Sequence, residues 1–212
     1  MPRIIAPSVL SADFARLGEE VEMINQSQAE WLHVDVMDGV FVPNISFGFP
    51  VMETLRRYSR KPLDVHLMIT HPEKYVERFC EAGAWSVGFH LEATDDPRPA
   101  LEKGVRTCLT INPDIDVHRL DPYLAEVDMV LIMSVFAGFG GQKFISESLD
   151  KVRYLREQIS RQGLSTLIEV DGGINEQNAK QVFDAGADVL VAGSAVFHAR
   201  EPKVAIRNML DE

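Results

Sequence analysis

The chain is short of several things, and each shortage excludes something. It has only two cysteines in 212 residues, Cys80 and Cys108. One stands in a helical pattern and one in a strand pattern, without the close spacing of a thiolate metal site. Two buried free thiols are the expectation, and a reducing cytosol with them. No uncharged run reaches the roughly 18 residues that a spanning helix needs. The opening Met1-Pro2-Arg3-Ile4-Ile5-Ala6-Pro7 carries no signal-peptide core. No G-x-G-x-x-G follows the first apolar segment, which removes the commonest dinucleotide-binding layout. Basic residues are outnumbered, 21 Lys and Arg against 32 Asp and Glu, for a formal net charge of −11. A field of that sign repels nucleic acid and anionic membrane, so neither is expected as a partner. It also repels an anionic metabolite, which local dipoles would then have to hold. No linker or low-complexity stretch divides the chain, and one domain over 1–212 is expected.

What is present alternates. Short apolar segments that read as strands cover Ile4–Ser8, Trp31–Asp35, Leu63–Met68, Trp85–His90, Thr107–Ile111, Met129–Met133, Thr166–Val170 and Val189–Ala192. Between them lie helical patterns. Asp13 is placed to cap a helix carrying Phe14, Leu17, Val21 and Ile24. A short helix is expected over Val51–Tyr58. Thr70-His71-Pro72-Glu73 has capping-box spacing for a helix running to about Ala82, with Gly83 as its stop. Asp96-Pro97 opens a brief helix, and another is expected near Val117–Leu124. Leu149, Val152, Leu155 and Ile159 mark a longer one. Asn175 caps a helix that stops at Gly186, and a last helix ends the chain. Eight strand–helix units of about 26 residues each predict an α/β fold, a single-domain (β/α)8 TIM barrel. Ala82-Gly83-Ala84-Trp85 and Ala185-Gly186-Ala187-Asp188 echo one another in support of the repetition. The alternative is an open doubly wound sheet.

Under the barrel reading, Ser8, His33, Asp35, His66, Asp171 and Ser194 all fall at or just past strand C-terminal ends, where barrel enzymes keep their active sites. His33 and Asp35 share one strand face. With His66 and Asp171 they make a two-nitrogen, two-oxygen set suited to one divalent metal ion: zinc, ferrous iron, manganese or cobalt. Asp64, two residues deeper than His66, and His90 are expected to support such ligands or serve the core. Asp38 beside Gly39 reads as a turn residue. His71, His118 and His198 lie in connections and carry no assigned chemistry. The long loop from Met37 to Pro50 is the kind that serves function. Glycine-rich segments follow the last three strands: Gly138-Phe139-Gly140-Gly141, Gly172-Gly173 and Gly193-Ser194. Barrels often bind phosphate there through backbone N–H groups. Lys143 is the one cation within them. Met37, Met68 and Met133 are plain core or an apolar wall that keeps water from a reactive intermediate.

This set suggests proton transfer beside a carbonyl of a small phosphorylated substrate. Asp35 and Asp171 approach from different strands. One can take a proton from one face of a carbon and the other return one to the opposite face, inverting the stereocentre without redox chemistry.

The sequence resembles the ribulose-phosphate 3-epimerase family. The matching segments are Pro7-Ser8-Val9-Leu10-Ser11-Ala12-Asp13-Phe14, His33-Val34-Asp35-Val36-Met37-Asp38-Gly39, Phe41-Val42-Pro43-Asn44 and Asp64-Val65-His66-Leu67-Met68. Later come Gly138-Phe139-Gly140-Gly141-Gln142-Lys143-Phe144, Glu169-Val170-Asp171-Gly172-Gly173-Ile174 and Ala192-Gly193-Ser194-Ala195. The resemblance implies a barrel of the ribulose-phosphate-binding type that interconverts D-ribulose 5-phosphate and D-xylulose 5-phosphate through a 2,3-enediolate. It implies one divalent metal on His33, Asp35, His66 and Asp171, with Asp35 as proton acceptor and Asp171 as proton donor. It implies substrate contacts from Ser8, His66, Asp171, Gly138, Phe139, Gly140, Gly141, Gly172, Gly173, Gly193 and Ser194. A cytoplasmic homo-oligomer is expected.

Two departures stand out. Phe136-Ala137 occupies a place where the family usually has a residue followed by Pro; losing Pro is expected to free the backbone there, and Phe to add bulk. The Asp95–Gly104 segment is about one helical turn shorter than usual. Other readings of the same residues are 3-epimerisation of another ketose phosphate such as allulose 6-phosphate, a metal-dependent decarboxylase or lyase, and a non-catalytic phosphate-binding barrel. A lyase would typically place a Lys at a strand end, and no core motif here does.

Overall fold

The computed structural model describes residues 2–103 and 105–211. Its strands are β1 (Ile4–Pro7), β2 (Leu32–Met37), β3 (Leu63–Met68), β4 (Ser86–His90), β5 (Thr107–Ile111), β6 (Met129–Met133), β7 (Leu167–Asp171) and β8 (Val189–Ala192). All pair in parallel, in the order β1-β8-β7-β6-β5-β4-β3-β2. A parallel bridge between Ser8 and His33 brings the two ends together, so the sheet is a nearly closed barrel. Strand order follows chain order without the reversal of a doubly wound sheet, and that alternative falls.

Alternation along each strand sorts side chains into two cores. Leu32, Val34 and Val36 of β2, Leu63, Val65 and Leu67 of β3, and Ile168 and Val170 of β7 pack with helical side chains in one large cluster. Ala6, Trp31, Cys108, Leu131, Met133, Val189 and Val191 form a separate cluster that fills the barrel. Buried area of that kind is the main force holding sheet and helices together.

The helices are α1 (Leu17–Asn25), α2 (Phe49–Tyr58), α3 (Val76–Glu81), α4 (Arg98–Leu101), α5 (Ser148–Gln162), α6 (Ala179–Ala185), α7 (Ser194–Phe197) and α8 (Pro202–Asp211). Leu17, Val21 and Ile24 are the buried residues of α1, as their spacing predicts. Asp13 caps a 3-10 turn, Phe14–Arg16, ahead of α1 rather than α1 itself. Gly163 and Gly186, both at positive φ, end α5 and α6. The Asp95–Gly104 segment holds only the single turn of α4; Gly104 lies outside the described residues.

Three local expectations are corrected. Thr70 caps nothing: its N–H and hydroxyl both donate to Asp38 Oδ2, at 2.8 and 2.9 Å. The chain instead passes through a left-handed His71 (φ 53°) and a 3-10 turn, Pro72–Lys74, before α3 begins. The segment near Val117–Leu124 is a 3-10 helix, Val117–Tyr123, with Pro122 inside it. Proline has no N–H to give an α-helical bond there. Asn175 accepts the Gln177 N–H in a turn that precedes α6 and does not cap it.

Candidate active site

Register builds the site. Pairing of β2 with β3 sets His33 opposite Asp64 and Asp35 opposite His66. Period-two alternation turns all four to the barrel interior. Asp171, the last residue of β7, arrives from across the barrel. One ligand atom from each of His33, Asp35, His66 and Asp171 falls within 4.8 Å of the others. His33 Nε2 is 3.3 Å from Asp35 Oδ1, and His66 Nδ1 is 3.1 Å from the same oxygen and 4.0 Å from Asp171 Oδ2. His33, Asp35 and His66 are buried; the Asp171 side chain keeps 16% of its surface open.

These residues fit a divalent metal. His33 Nε2 is buried and has no hydrogen-bond partner. Such orphaned nitrogens are rare and costly unless something else takes the lone pair. Its other nitrogen, Nδ1, lies 2.6 Å from Asp64 Oδ2, and the Ser86 hydroxyl donates to Asp64 Oδ1. A carboxylate on one imidazole nitrogen commonly orients the other toward a metal. Asp64 therefore acts on the ligand cluster through His33.

The two acids hold protons differently. Burial alone would raise Asp35, but His33 and His66 beside it pull its carboxyl well below the usual range. Asp171 goes the other way: burial and then the Asp35 charge push it up to about 7, against a smaller pull from His33. The two carboxyls that face one another across the site thus differ in proton affinity. Below them Glu169 is buried with neither oxygen hydrogen-bonded, and burial with the nearby Asp64 raises its carboxyl too. Glu169, Asp64 and His33 form a second acid–imidazole group under the first.

A cavity opens above. Its walls include Ser8, Asp35, Asp171, Gly138, Phe139, Gly140, Gly141, Gly172, Gly173, Gly193 and Ser194. His33 and His66 are buried and do not line it. Met37, Met68 and Met133 also line the cavity while packed in the core, so they serve as core and as its apolar wall. Ser8 donates to Asp35 Oδ2 at 2.5 Å and accepts from the Leu10 N–H. At Gly172 and Gly173 a side chain has no room. A Cβ on Gly172 would sit 2.5 Å from Val135 Cγ2, and one on Gly173 would sit 2.5 Å from the Phe144 nitrogen. Ser134 binds the far side of the same turn, its hydroxyl 2.9 Å from the Asp171 carbonyl and 2.7 Å from that of Gly172.

The profile of the Ribulose-phosphate 3 epimerase family matches residues 4–197. This chain belongs to that family. It is 48% identical to the ribulose-phosphate 3-epimerase of Synechocystis sp. over 202 residues, covering 92% of this chain and 88% of that one. To the Bacillus subtilis ribulose-phosphate 3-epimerase it is 43% identical, covering 95% of each. Among solved structures it resembles orotidine 5'-phosphate decarboxylase from Pyrococcus horikoshii, with TM-score 0.72 at 15% identity over 98% of both chains. That likeness shows the shared barrel fold alone.

Within the ribulose-phosphate 3-epimerase family frame, the departure at Phe136-Ala137 has a different outcome from the one expected. The backbone is not freed. Ala137 donates its N–H to Asn112 Oδ1 at 3.1 Å, a bond proline cannot make. The Phe136 ring is half exposed, and its carbonyl accepts from Gln142 Nε2 at 2.7 Å. Asn44 Nδ2 donates to the Gly138 carbonyl at 2.8 Å, joining the long loop after β2 to the loop after β6. Asp38 serves its own turn through the Val40 and Phe41 N–H groups and also the Thr70 lock. Lys143 does not line the cavity. Sequence reasoning passed over Ser11 and Gln142, which line the cavity, Asn112, which holds Ala137, and the buried Glu169. For Glu169 a signal existed, since it stands two residues before Asp171 on the same strand face.

Proposed function

We propose that this protein inverts C3 of a ketose phosphate, interconverting D-ribulose 5-phosphate and D-xylulose 5-phosphate. The observation that carries this is the opposed pair Asp35 and Asp171, brought from β2 and the end of β7 to the floor of one glycine-lined cavity. Asp35 accepts the C3 proton from one face of the sugar. Charge then spreads over the C2 and C3 oxygens as a 2,3-enediolate. Asp171 delivers its proton to C3 on the opposite face, so the two acids exchange protonation states in one turnover and reset by exchange with water. Run backwards, the roles reverse.

His33, Asp35, His66 and Asp171 would hold one divalent metal ion, zinc, iron, manganese or cobalt. When bound, it would supply Lewis-acid stabilisation of the negative charge that develops on substrate oxygen. Ser8 holds Asp35 in place and offers its hydroxyl to the sugar. Backbone N–H groups at Gly138–Gly141, Gly172-Gly173 and Gly193-Ser194 take the phosphate, which suits a protein whose net charge of −11 gives no long-range attraction. Met37, Met68 and Met133 keep water from the enediolate.

The reading extends to one domain over 1–212 acting in the cytosol as a homo-oligomer. Both cysteines are free, in keeping with a reducing compartment, and no helix among the described residues is long and apolar enough to cross a membrane. Sedimentation of the purified protein checks the assembly. A coupled assay with ribulose 5-phosphate and allulose 6-phosphate in heavy water tests the chemistry. Turnover of the pentose phosphate with deuterium at C3 of the product is expected. Unlabelled product would rule out the two-acid route, and a higher kcat/KM on allulose 6-phosphate would reassign the substrate.

A further inference from the structure

The loop after β6 lines the cavity with Gly138, Phe139, Gly140 and Gly141. A run so rich in glycine has a wide choice of backbone conformations and loses much freedom on being ordered. To grip an anion tightly through its N–H groups, it has to be held in one shape before the anion arrives. Three side chains hold it, each through the backbone. Asn112, the residue after β5, accepts the Ala137 N–H on Oδ1 at 3.1 Å, just ahead of the run. Asn44, from the loop after β2, donates from Nδ2 to the Gly138 carbonyl at 2.8 Å. Gln142, just past the run, donates from Nε2 to the Phe136 and Phe139 carbonyls at 2.7 and 2.9 Å and closes the loop on itself.

Asn112 is itself fixed. Its Nδ2 and its backbone N–H both donate to Glu92 Oε1, each at 2.9 Å. A carboxylate only accepts and a backbone N–H only donates, so the amide has one orientation: nitrogen toward Glu92, oxygen toward Ala137. Lys151 Nζ donates to the Asn112 and Pro113 carbonyls at 3.2 and 2.7 Å, tying this corner to α5. The Asn112 amide therefore joins a braced strand end to the entry of the loop. Proline in place of Ala137 would restrict the backbone through its ring and offer no N–H. This chain has alanine there and a side-chain bond instead.

We infer that Asn112 is a positioning residue for phosphate binding. By holding the Ala137 N–H it presets the loop whose backbone N–H groups take the substrate's phosphate, with Asn44 and Gln142 holding the turns that follow. This rests on the phosphate grip proposed above and adds to it the side chain that shapes it.

The test uses purified protein supplied with zinc: wild type, Asn112→Ala, Ala137→Pro and the double variant. Hydrogen–deuterium exchange read by mass spectrometry follows peptides covering 136–143, without and with inorganic phosphate. Steady-state kinetics on ribulose 5-phosphate give kcat, KM and the inhibition constant of inorganic phosphate. Wild type is expected to protect the 136–143 segment before phosphate is added, and Asn112→Ala to lose that protection. Loss of one such bond should raise KM and the phosphate inhibition constant together by about 3- to 10-fold, with a smaller change in kcat. In the Ala137→Pro background the same substitution should change KM little, because the N–H it serves is already gone. An effect that passes through Glu92 would persist in both backgrounds. Equal loss in both backgrounds overturns the inference. So does free exchange of the segment in wild type, or lost protection in Asn112→Ala with KM unchanged. Wild type that does not turn over ribulose 5-phosphate overturns the reading of the reaction, and this inference falls with it. If circular dichroism shows that a variant does not fold, exchange of the 136–143 segment in wild type decides alone.

Discussion

His33 hands its Nδ1 to Asp64 Oδ2 at 2.6 Å and is left with Nε2 turned toward Asp35 Oδ1 at 3.3 Å. The Asp64 carboxylate thus settles which nitrogen of His33 faces the ligand cluster. Asp64→Asn offers a weaker, uncharged acceptor at the same place. We expect roughly 10- to 100-fold weaker zinc binding with the fold retained. Chelator competition and far-UV circular dichroism check it, and wild-type affinity would leave the Asp64 bond without influence on the site.

Asp171→Asn is expected to abolish turnover and, in metal-free protein, to stabilise the fold at neutral and alkaline pH. The sign follows from proton counting. Asp171 is raised from 3.8 to about 7 in the folded protein. Between those values the folded state keeps a proton that the unfolded state has lost, so stability falls as pH rises through that window and levels off above about 7. Asn carries no such penalty. Urea melts of chelator-treated wild type and variant at pH 4, 6 and 8 should diverge by an amount on the order of a few kcal/mol. Parallel curves would remove Asp171 from the titration, and wild-type activity in the variant would remove it from the mechanism.

Metal uptake should release protons. His33 lies between Asp35 and Asp64: burial opposes its charge, but the two carboxylates raise it well above the ordinary imidazole value. Both His33 and Asp171 must shed their protons to act as ligands. Apparent zinc affinity is therefore expected to climb as pH rises from 5.5 to 8. Calorimetric titration near neutral pH in two buffers of different ionisation enthalpy should report at least one proton released per zinc. Equal heats in both buffers would contradict this.

Gly173→Ala should disturb both stability and substrate binding. Gly173 has φ +66°, and an added Cβ would meet the Phe144 nitrogen at 2.5 Å and the Gln142 carbonyl oxygen at 2.9 Å. Both are backbone atoms, so one loop must move. We expect a loss of roughly 1–3 kcal/mol in stability and a raised KM for the sugar phosphate. Thermal melts and steady-state kinetics read the two effects.

Much of the fold was legible because its signals are local. Apolar runs such as Met129–Met133 and helical spacing such as Leu149, Val152, Leu155 and Ile159 need no knowledge of neighbours. The mistakes arose where a distant group competes. Thr70 has the spacing of a cap, but Asp38 from another loop takes its hydroxyl. The missing proline before the glycine-rich run suggested a loose backbone, but Asn112 from β5's end receives the freed N–H. No spacing rule contains either partner.

From sequence alone came the alternating strand–helix order and the set of imidazoles and carboxylates at strand ends, because side-chain period and strand polarity are properties of a short stretch of chain. Tertiary structure decided what those groups are. Asp35 and Asp171 are the same residue type, yet one is surrounded by imidazoles and the other by buried space and a like charge. His33 and His66 are equivalent on paper, yet Asp64 claims Nδ1 of the first and His90 meets Nε2 of the second. Proton affinity and tautomer are set by what lies within a few ångströms, and cross-strand register alone brings those neighbours in.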